Sequence, residues 1–374
     1  MHKIGLRKIF LSSATSRLKF IKSCDYILGS LVARLIPAQM PKSPPSSVER
    51  LLVIRPGGIG DAVFLLTVLK SIKLKFPQVT IDVLCQARNA AVFASQRQVI
   101  NQVYDSFADL RELSQNDYDL VVDTEQWHYL SALTAYAMRT AVRIGFASRP
   151  LRQKFFNQAV HYEDDAYELE NFYRLFESLI CPQDLKIEMD KSFEVTPYLK
   201  NWAEARIPSN SVTLSVAASV PERELSLEQL TILAQGVSSR GFCPIFLGGK
   251  DGLKKSRQIA QALKSAEAQY FVGKTSLEET AALIKSSRIF IGTDSGLMHL
   301  AVSVGTPVIG LFGAGNIRKW MSPGKAHWAV TENAPCSPCT AYGYGLPTCR
   351  GAFPCLRAMD LEAMMDRYLE RLNV

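Results

Sequence analysis

The 374-residue sequence has no long apolar run that is free of charge. Charged residues interrupt its N-terminal stretch, so residues 1–42 predict neither a cleaved signal peptide nor a membrane-spanning helix. The glycine-rich turn RPGGIGDAV at residues 55–63 is not followed by Gly-Lys-Ser/Thr, which excludes a P-loop there. The same turn has Val63 where a dinucleotide fingerprint needs its last glycine. The spacing of Asp117 and Asp119 suits an Asp-x-Asp metal site, but the pair fits the start of a strand better.

Positive charge is concentrated at the N-terminus. Residues 1–42 carry eight Lys/Arg and a single acid, Asp25, whereas the rest of the chain is close to balance. A helical stripe of apolar residues lies in this segment, formed by Ile21, Cys24, Leu28, Leu31 and Leu35. A basic helix with such a stripe indicates attachment to an anionic membrane surface. The alternative is that the stripe packs on the body of the protein or on another subunit.

From Leu51 onward, short apolar runs alternate with helix-length segments, which is typical of α/β proteins with parallel sheets. We expect one series of strands at residues 51–54, 81–85, 118–123 and 142–146, and a second at 212–218, 243–249, 269–273, 287–296 and 306–313. The predicted divisions are a basic extension and linker (1–46), a Rossmann-like domain (47–200), a second Rossmann-like domain (201–358) and a C-terminal helix (359–374).

The stretch FIGTDSGLMHL at residues 290–300 predicts a strand followed at once by a helix. The free N–H groups and positive dipole end of a first helical turn can hold a phosphate. Ser295 adds a hydroxyl, Gly296 permits close approach, and His299 lies one turn further on the face of Ser295. The candidate residues here are Thr293, Asp294, Ser295, Gly296, Leu297 and His299. The alternative is an ordinary helix N-cap, for which Asp294 and Ser295 are both favoured without any ligand.

The glycine turn after LLVI, together with GTDSGLMHLAVSVGTPVIGLFG, resembles glycosyltransferase family 9, the ADP-heptose:lipopolysaccharide heptosyltransferases. The resemblance runs from about Leu51 to the C-terminus. It implies a GT-B fold, in which two Rossmann-like domains face each other across the active site. The first domain would bind mainly the acceptor, and the second mainly the nucleotide sugar.

The resemblance also implies that Asp61 is the general base that deprotonates an acceptor hydroxyl. Gly58 and Gly60 would keep the turn small where the sugar and the acceptor meet. One base suffices for a single inverting displacement. The alternative is that Asp61 only caps its helix.

Further site residues are implied by position. Arg223 stands where the family usually has a lysine near the diphosphate, and Ser219 matches a family hydroxyl near the phosphates. Asp251 is a candidate contact to the ribose or adenine, and the alternative is an acid in a surface loop. We hypothesise an acceptor segment after the strand at 118–123, formed by Glu125, Gln126, Trp127 and His128. Loop packing is the alternative for these four. No cofactor is expected in catalysis.

Four of the eight cysteines are clustered between residues 336 and 355. Cys336, Cys339, Cys349 and Cys355 have a spacing that could hold a structural zinc or iron ion. Protein-modifying relatives in the family are known to carry a cysteine-bound iron in a comparable region. Reduced thiols are the alternative.

The resulting hypothesis is a cytoplasmic, inverting heptosyltransferase with a lipopolysaccharide-core acceptor, peripheral to the inner membrane through its basic N-terminus and without a nucleic-acid partner. Deleting residues 1–45 is then expected to spare transfer to a soluble acceptor. Protein O-heptosylation or another nucleotide sugar is the alternative chemistry. A non-enzymatic nucleotide-sugar-binding scaffold is the alternative class.

Overall fold

The computed structural model describes residues 14–45, 47–106, 109–181, 188–218, 220–263, 268–340 and 355–369. The strands are β1 (Arg50–Arg55), β2 (Thr80–Cys85), β3 (Gln102–Tyr104), β4 (Asp117–Asp123), β5 (Arg139–Phe146), β6 (Gln158–Val160), β7 (Ser211–Ser215), β8 (Cys243–Leu247), β9 (Gln269–Tyr270), β10 (Ile289–Thr293), β11 (Val308–Leu311) and β12 (His327–Val330).

The helices are α1 (Ala14–Leu35), α2 (Ile59–Lys75), α3 (Ala87–Ala94), α4 (Leu110–Leu113), α5 (Tyr129–Ala137), α6 (Glu168–Leu175), α7 (Pro197–Glu204), α8 (Leu227–Ser239), α9 (Leu253–Leu263), α10 (Leu277–Lys285), α11 (Gly296–Ser303), α12 (Ile317–Trp320) and α13 (Leu361–Leu369).

The strands form two six-stranded parallel sheets, ordered β3-β2-β1-β4-β5-β6 and β12-β11-β10-β7-β8-β9. Both sheets are therefore doubly wound, and in each the strand order reverses beside the first strand of the domain. The central strands are continuous apolar runs because helices cover both faces of a parallel sheet. β1 is buried from Leu51 to Arg55, and β10 is buried throughout. The predicted α/β class with two Rossmann-like sheets is confirmed.

The predicted strands correspond to nine of the twelve that the described residues form. The three that were missed, β3, β6 and β12, lie at sheet edges. They are only three or four residues long, and their side chains are largely half-buried or exposed. A short edge strand has no long apolar run, so its sequence lacks the usual signal.

Helix α1 packs on the first domain with its small and polar face. Gly29, Ser30 and Ala33 are buried, and Gly29 lies directly against Tyr129 of α5. The predicted apolar stripe points the other way, with Leu28 62% and Leu35 85% exposed. The alternative that this stripe packs on the body of the protein is therefore wrong, because the small residues on the other face allow the closer approach of the two helices.

The two domains meet where α2 of the first lies against α11 of the second. The ring of His299 packs 4.8 Å from the ring of Phe64 and 5.8 Å from that of Trp320, measured between centroids. Residues of both domains share one hydrophobic cluster. Each domain thus holds the other in place through apolar contacts close to both glycine-bearing turns.

A buried ion pair also crosses this interface. Lys319 Nζ lies 3.0 Å from Glu168 Oε2, and both side chains are at most 1% exposed. Glu168 also accepts hydrogen bonds from Gln126 (2.6 Å) and Tyr162 (2.8 Å). Burial raises the pKa of Glu168, and the Lys319 ammonium opposes that rise. Burying the carboxylate is therefore costly, and its partners offset the cost.

We expect Lys319→Met to lower the free energy of unfolding by about 3–5 kcal/mol, because it leaves Glu168 charged, buried and without its cation. Chemical denaturation measures this. Lys200→Met is the matched control, since Lys200 pairs with Glu204 at the surface, and an exposed pair contributes at most about 1 kcal/mol. Equal effects of the two substitutions would contradict the role of the buried pair.

Candidate functional site

Both sequence motifs lie at the carboxyl edges of the sheets, where the strand order reverses. In the first domain, the turn at residues 56–58 follows β1, and residues 124–128 follow β4 beside it. In the second, residues 216–218 follow β7, and residues 294–295 follow β10. Ligands of open parallel sheets bind at this position. The fold therefore brings together the two motifs that the sequence singled out.

Asp61 stands in the first turn of α2, with its side chain 21% exposed. The helix N-cap is Gly58, and no side chain caps this helix. The alternative that Asp61 is the cap is therefore wrong. Gly57 has φ +132°, a conformation that only glycine adopts readily, which allows the chain to turn sharply from β1 into α2.

The turns of the two domains are in direct contact. A Cβ added to Gly60 would lie 2.5 Å from His299 Cδ2, and one added to Gly296 would lie 2.8 Å from Ile59 Cβ. Real Cβ atoms do not approach other atoms so closely, so both positions require glycine for close approach. As a result, the amino ends of α2 and α11 lie side by side, and Asp61 is next to them.

Arg55, the last residue of β1, is a functional candidate that the sequence motifs did not indicate. Its Nη1 donates to the carbonyl oxygen of Thr124 at 2.6 Å, and its Nη2 lies 3.7 Å from Asp61 Oδ1 and 3.6 Å from Glu125 Oε2. Its Nε is buried and has no hydrogen-bond partner. A charged residue ending an apolar strand directly before the glycine turn was the available signal.

Burial works against the charge of Arg55, but the carboxylates around it prevail. Desolvation lowers the pKa of this guanidinium, while Asp61, Glu125 and Glu168 raise it more, so the net shift is upward. Arg55 is therefore a permanent cation that links the candidate base to the candidate acceptor segment. Its Nη2 lies nearest to one oxygen of Asp61, and the Asp61 side chain remains 21% exposed.

At the amino end of α11, the N-cap is Ser295 and not Asp294. The expectation that Asp294 caps this helix is wrong, because its carboxylate instead pairs with Arg223, whose Nη1 lies 2.9 Å from Asp294 Oδ2. The hydroxyl oxygen of Ser295 is buried and has no hydrogen-bond partner. The end of α11 thus retains an unused donor beside its free N–H groups.

Arg223 ends the short 3₁₀ turn Pro221–Arg223 and is 13% exposed. Its Nε is buried and has no partner, as in Arg55. The neighbouring Glu224 pairs with Lys255 at 2.6 Å, which offsets its negative charge. The Arg223 guanidinium therefore lies beside the amino end of α11 and is paired there with Asp294.

The other predicted nucleotide-sugar residues fall in different surroundings. Thr293 ends β10 and is buried, and Leu297 is half-buried in the first turn of α11. His299 is 4% exposed, and its Nε2 lies 3.8 Å from Asp294 Oδ1. Asp251 is exposed after β8, where it accepts a hydrogen bond from the Gly252 N–H. Ser219 lies outside the described residues.

The predicted acceptor segment is tightly held. Glu125 and Gln126 are each 6% exposed, and Gln126 bridges Arg55 (3.5 Å) and Glu168 (2.6 Å). Trp127 and His128 are half-buried, and the Trp127 ring packs on Tyr162 at 5.7 Å. Glu125 and Gln126 are therefore held beneath the surface of the site, whereas Trp127 and His128 are more accessible.

A fully buried arginine supports this segment from below. Arg152 Nη2 lies 2.6 Å from Asp123 Oδ2 and donates to the carbonyl oxygen of Glu125 at 2.6 Å, while its Nε donates to that of His128 at 3.1 Å. Burial raises the pKa of Asp123 to about 6 despite this cation. One guanidinium thus fixes the path of the main chain along the whole segment.

Cys339, one of the described members of the cysteine cluster, lies behind the α11 turn. The Cys339 N–H donates to the carbonyl oxygen of Ala314 at 3.1 Å, and Gly315 packs on Asp294. Cys336 and Cys355 are also described, whereas Cys349 lies outside the described residues. Within the described part of the chain, no group of three or more His, Cys, Asp or Glu side chains could hold a metal ion, so the predicted zinc or iron has no support there.

Comparison with known proteins supports one family. The model of "Glycosyltransferase family 9 (heptosyltransferase)" matches residues 107–347. The chain is similar to lipopolysaccharide heptosyltransferase 3 of Escherichia coli, with 25% identity over 68% of this chain and 81% of the relative. It is 21% identical to the lipopolysaccharide core heptosyltransferase OpsX of Haemophilus influenzae over 71% and 79% of the two chains.

The solved structures agree on the fold. The E. coli ADP-heptose lps heptosyltransferase II superposes with a TM-score of 0.70 at 18% identity, covering 86% of this chain and 98% of the relative. E. coli heptosyltransferase WaaC with ADP-2-deoxy-2-fluoro heptose gives a TM-score of 0.64 at 17% identity, covering 86% and 99%. The two facing domains are thus those of a GT-B fold.

We expect Gly60→Ala to destabilise the protein by about 1–3 kcal/mol and to lower its activity, because the new methyl group would overlap the His299 ring. Thermal unfolding and a transfer assay measure this. In a His299→Ala background the methyl group has room, so the extra cost of Gly60→Ala should shrink by at least half. Gly324→Ala, at an exposed position beside the His327 ring, is the control. An undiminished cost in the double variant would contradict the contact.

Proposed function

Because the chain belongs to glycosyltransferase family 9, the heptosyltransferase family, we propose that it transfers a heptose from ADP-heptose to a lipopolysaccharide-core acceptor, with inversion at the anomeric carbon. The names of its relatives support the donor and the acceptor. The observation that carries the proposal is the position of Asp61. This carboxylate remains partly exposed beside the amino end of the helix that would bind the diphosphate.

In the proposed reaction, Asp61 takes the proton of an acceptor hydroxyl as that oxygen attacks the anomeric carbon. The carbon–oxygen bond to the diphosphate breaks on the opposite face, so one displacement inverts the configuration. Arg55 fixes the carboxylate from behind through its 3.7 Å ion pair. A base held in one orientation loses less freedom when the acceptor binds.

The leaving ADP gains negative charge as the bond breaks, and that charge must be stabilised. The N–H groups of the first turn of α11 and the unpartnered Ser295 hydroxyl are suited to this. Arg223 supplies a positive charge beside them, and its ion pair with Asp294 prevents that acid from repelling the phosphates. These groups provide for the leaving group without requiring a cofactor.

The acceptor would lie over residues 125–128. Trp127 and His128 are the half-buried members and offer an apolar ring and a hydrogen-bonding ring to a sugar. Arg88, at the start of α3, lies within electrostatic reach of Asp61 and Glu125 and is exposed at the surface. It is placed to meet an anionic group on the acceptor.

The test is an Asp61→Asn variant assayed with labelled ADP-heptose and a lipid-core acceptor. We expect transfer to fall by about 10²–10⁴-fold, because the amide cannot accept the proton. Donor binding, measured by thermal shift, should persist. Asp117→Asn is the control, since Asp117 is exposed at the amino end of β4, away from the carboxyl ends of the strands where the site lies. Wild-type transfer by folded Asp61→Asn would refute the role of Asp61 as the base. Donor binding without any transfer by the wild type would favour a binding scaffold, and transfer to a protein acceptor alone would change the proposed acceptor.

We also propose that α1 rests on the anionic inner face of the membrane that carries the acceptor, which makes the protein a cytoplasmic peripheral enzyme. None of the described helices is long and apolar enough to cross a bilayer. The outward stripe of α1 can instead lie in the interface, beside the N-terminal charge. Each Lys or Arg near an anionic surface adds about 1 kcal/mol.

We expect Leu28→Gln/Leu31→Gln to weaken binding to phosphatidylglycerol-containing vesicles at least about tenfold, because both leucines lose apolar burial. Vesicle sedimentation at two salt concentrations measures this. Leu74→Gln, at a 58% exposed position on α2, is the control. If all variants sediment like the wild type, α1 is not the membrane-binding element.

A further inference from the structure

The N-terminal extension reaches the candidate acceptor segment through Asp25. Its Oδ1 accepts the N–H of Leu130 at 2.8 Å, and its Oδ2 accepts that of Tyr129 at 3.0 Å. The same Oδ2 lies 3.3 Å from His128 Nδ1. These N–H groups begin α5, whose own N-cap residue, His128, offers no side-chain cap. Asp25 thus supplies from a distant part of the chain the cap that α5 lacks.

Other contacts fix α1 in the same position. Lys154 Nζ donates to the carbonyl oxygen of Ala33 at 2.6 Å, and the Arg149 guanidinium lies 5.2 Å from the centre of the Tyr26 ring. Lys22, one turn before Asp25, is half-buried, and its ammonium group interacts electrostatically with Glu125. The basic helix therefore contacts residues 128–130 and carries a charge within electrostatic reach of Glu125.

We infer that Asp25 is a positioning residue for the acceptor, so that α1 completes the acceptor side of the site. This inference rests on the proposed function. A carboxylate that accepts two N–H groups and faces the imidazole fixes the direction in which α5 begins. The path of Trp127 and His128 follows from that direction. From the sequence alone, deletion of residues 1–45 was expected to spare transfer to a soluble acceptor. The contacts of Asp25 predict the opposite, a loss of activity toward that acceptor.

The placement also links the membrane to the site. The Asp25 face of α1 contacts α5, whereas the Leu28 and Leu35 face points outward. An α-helix is about 10–12 Å thick with its side chains. A bilayer under the outer face would therefore bring a lipid-anchored acceptor close to residues 125–128. The outer face of α1 would thus bind the membrane, and its inner face would position the acceptor segment.

The experiment compares Asp25→Ala and Asp25→Asn in the full chain with a soluble, lipid-free acceptor. We expect kcat/KM for the acceptor to fall about tenfold in Asp25→Ala through a higher acceptor KM, with the donor KM unchanged. Asp25→Asn should recover part of the loss, because an amide oxygen still accepts an N–H group. Ser30→Ala is the matched control, since Ser30 is buried on the same face of α1 and its hydroxyl has no hydrogen-bond partner.

Hydrogen exchange at residues 128–130 gives a readout that does not need activity. Faster exchange there in Asp25→Ala, but not in Ser30→Ala, supports the cap even if the proposed donor or acceptor is wrong. An unchanged acceptor KM in folded Asp25→Ala would overturn the positioning role. Equal losses for donor and acceptor, or equal effects of Ser30→Ala, would overturn it as well and reduce α1 to a structural support.

Discussion

The close contact between the amino ends of α2 and α11 is the constraint on which the site depends. Gly60 and Gly296 have no side chains there, so His299 and Ile59 of the opposite domains fill the space. A residue with a Cβ at either position would push the domains apart. A general base and an anion-binding helix end can serve one reaction only if they are close. The two glycines therefore set the geometry of the proposed chemistry.

Charge is organised around this contact in two matched sets. In the first domain, Arg55 lies between Asp61 and Glu125, and Lys319 comes across the interface to Glu168. In the second, Arg223 holds Asp294. Glu125, Glu168 and Asp294 are buried, and each faces a cation that offsets the cost of its burial. At the amino end of α11, the Ser295 hydroxyl and the Arg223 Nε have no hydrogen-bond partner and are available to a ligand.

Much of this could be predicted from the sequence, because central parallel strands are long apolar runs and the two turns have distinctive residues. LLVI before the glycine turn and IFIGT before Asp-Ser-Gly were sufficient to define β1 and β10. The edge strands β3, β6 and β12 could not be found, because three or four partly exposed residues show no alternation of apolar and polar side chains. The sequence could not decide between Asp294 and Ser295 as the cap of α11, because Asp294 pairs with Arg223, which lies 71 positions away.

The orientation of α1 shows the same limit from another side. Its stripe at Leu28 and Leu35 was visible in the sequence, but which face would pack depended on Asp25 reaching the start of α5. Pairwise contacts over a hundred residues leave no local pattern. The same reason hid Arg55, whose partners Thr124 and Glu125 lie on a neighbouring strand end.

The most direct test of the central claim is a crystal structure of the protein with ADP-heptose bound. We predict that the diphosphate is bound by the first N–H groups of α11, beside Ser295 and Arg223. We also predict the anomeric carbon between that helix end and the Asp61 carboxylate, with room for an acceptor oxygen on the Asp61 side. A diphosphate bound elsewhere, or an anomeric carbon that Asp61 cannot reach, would contradict the central claim.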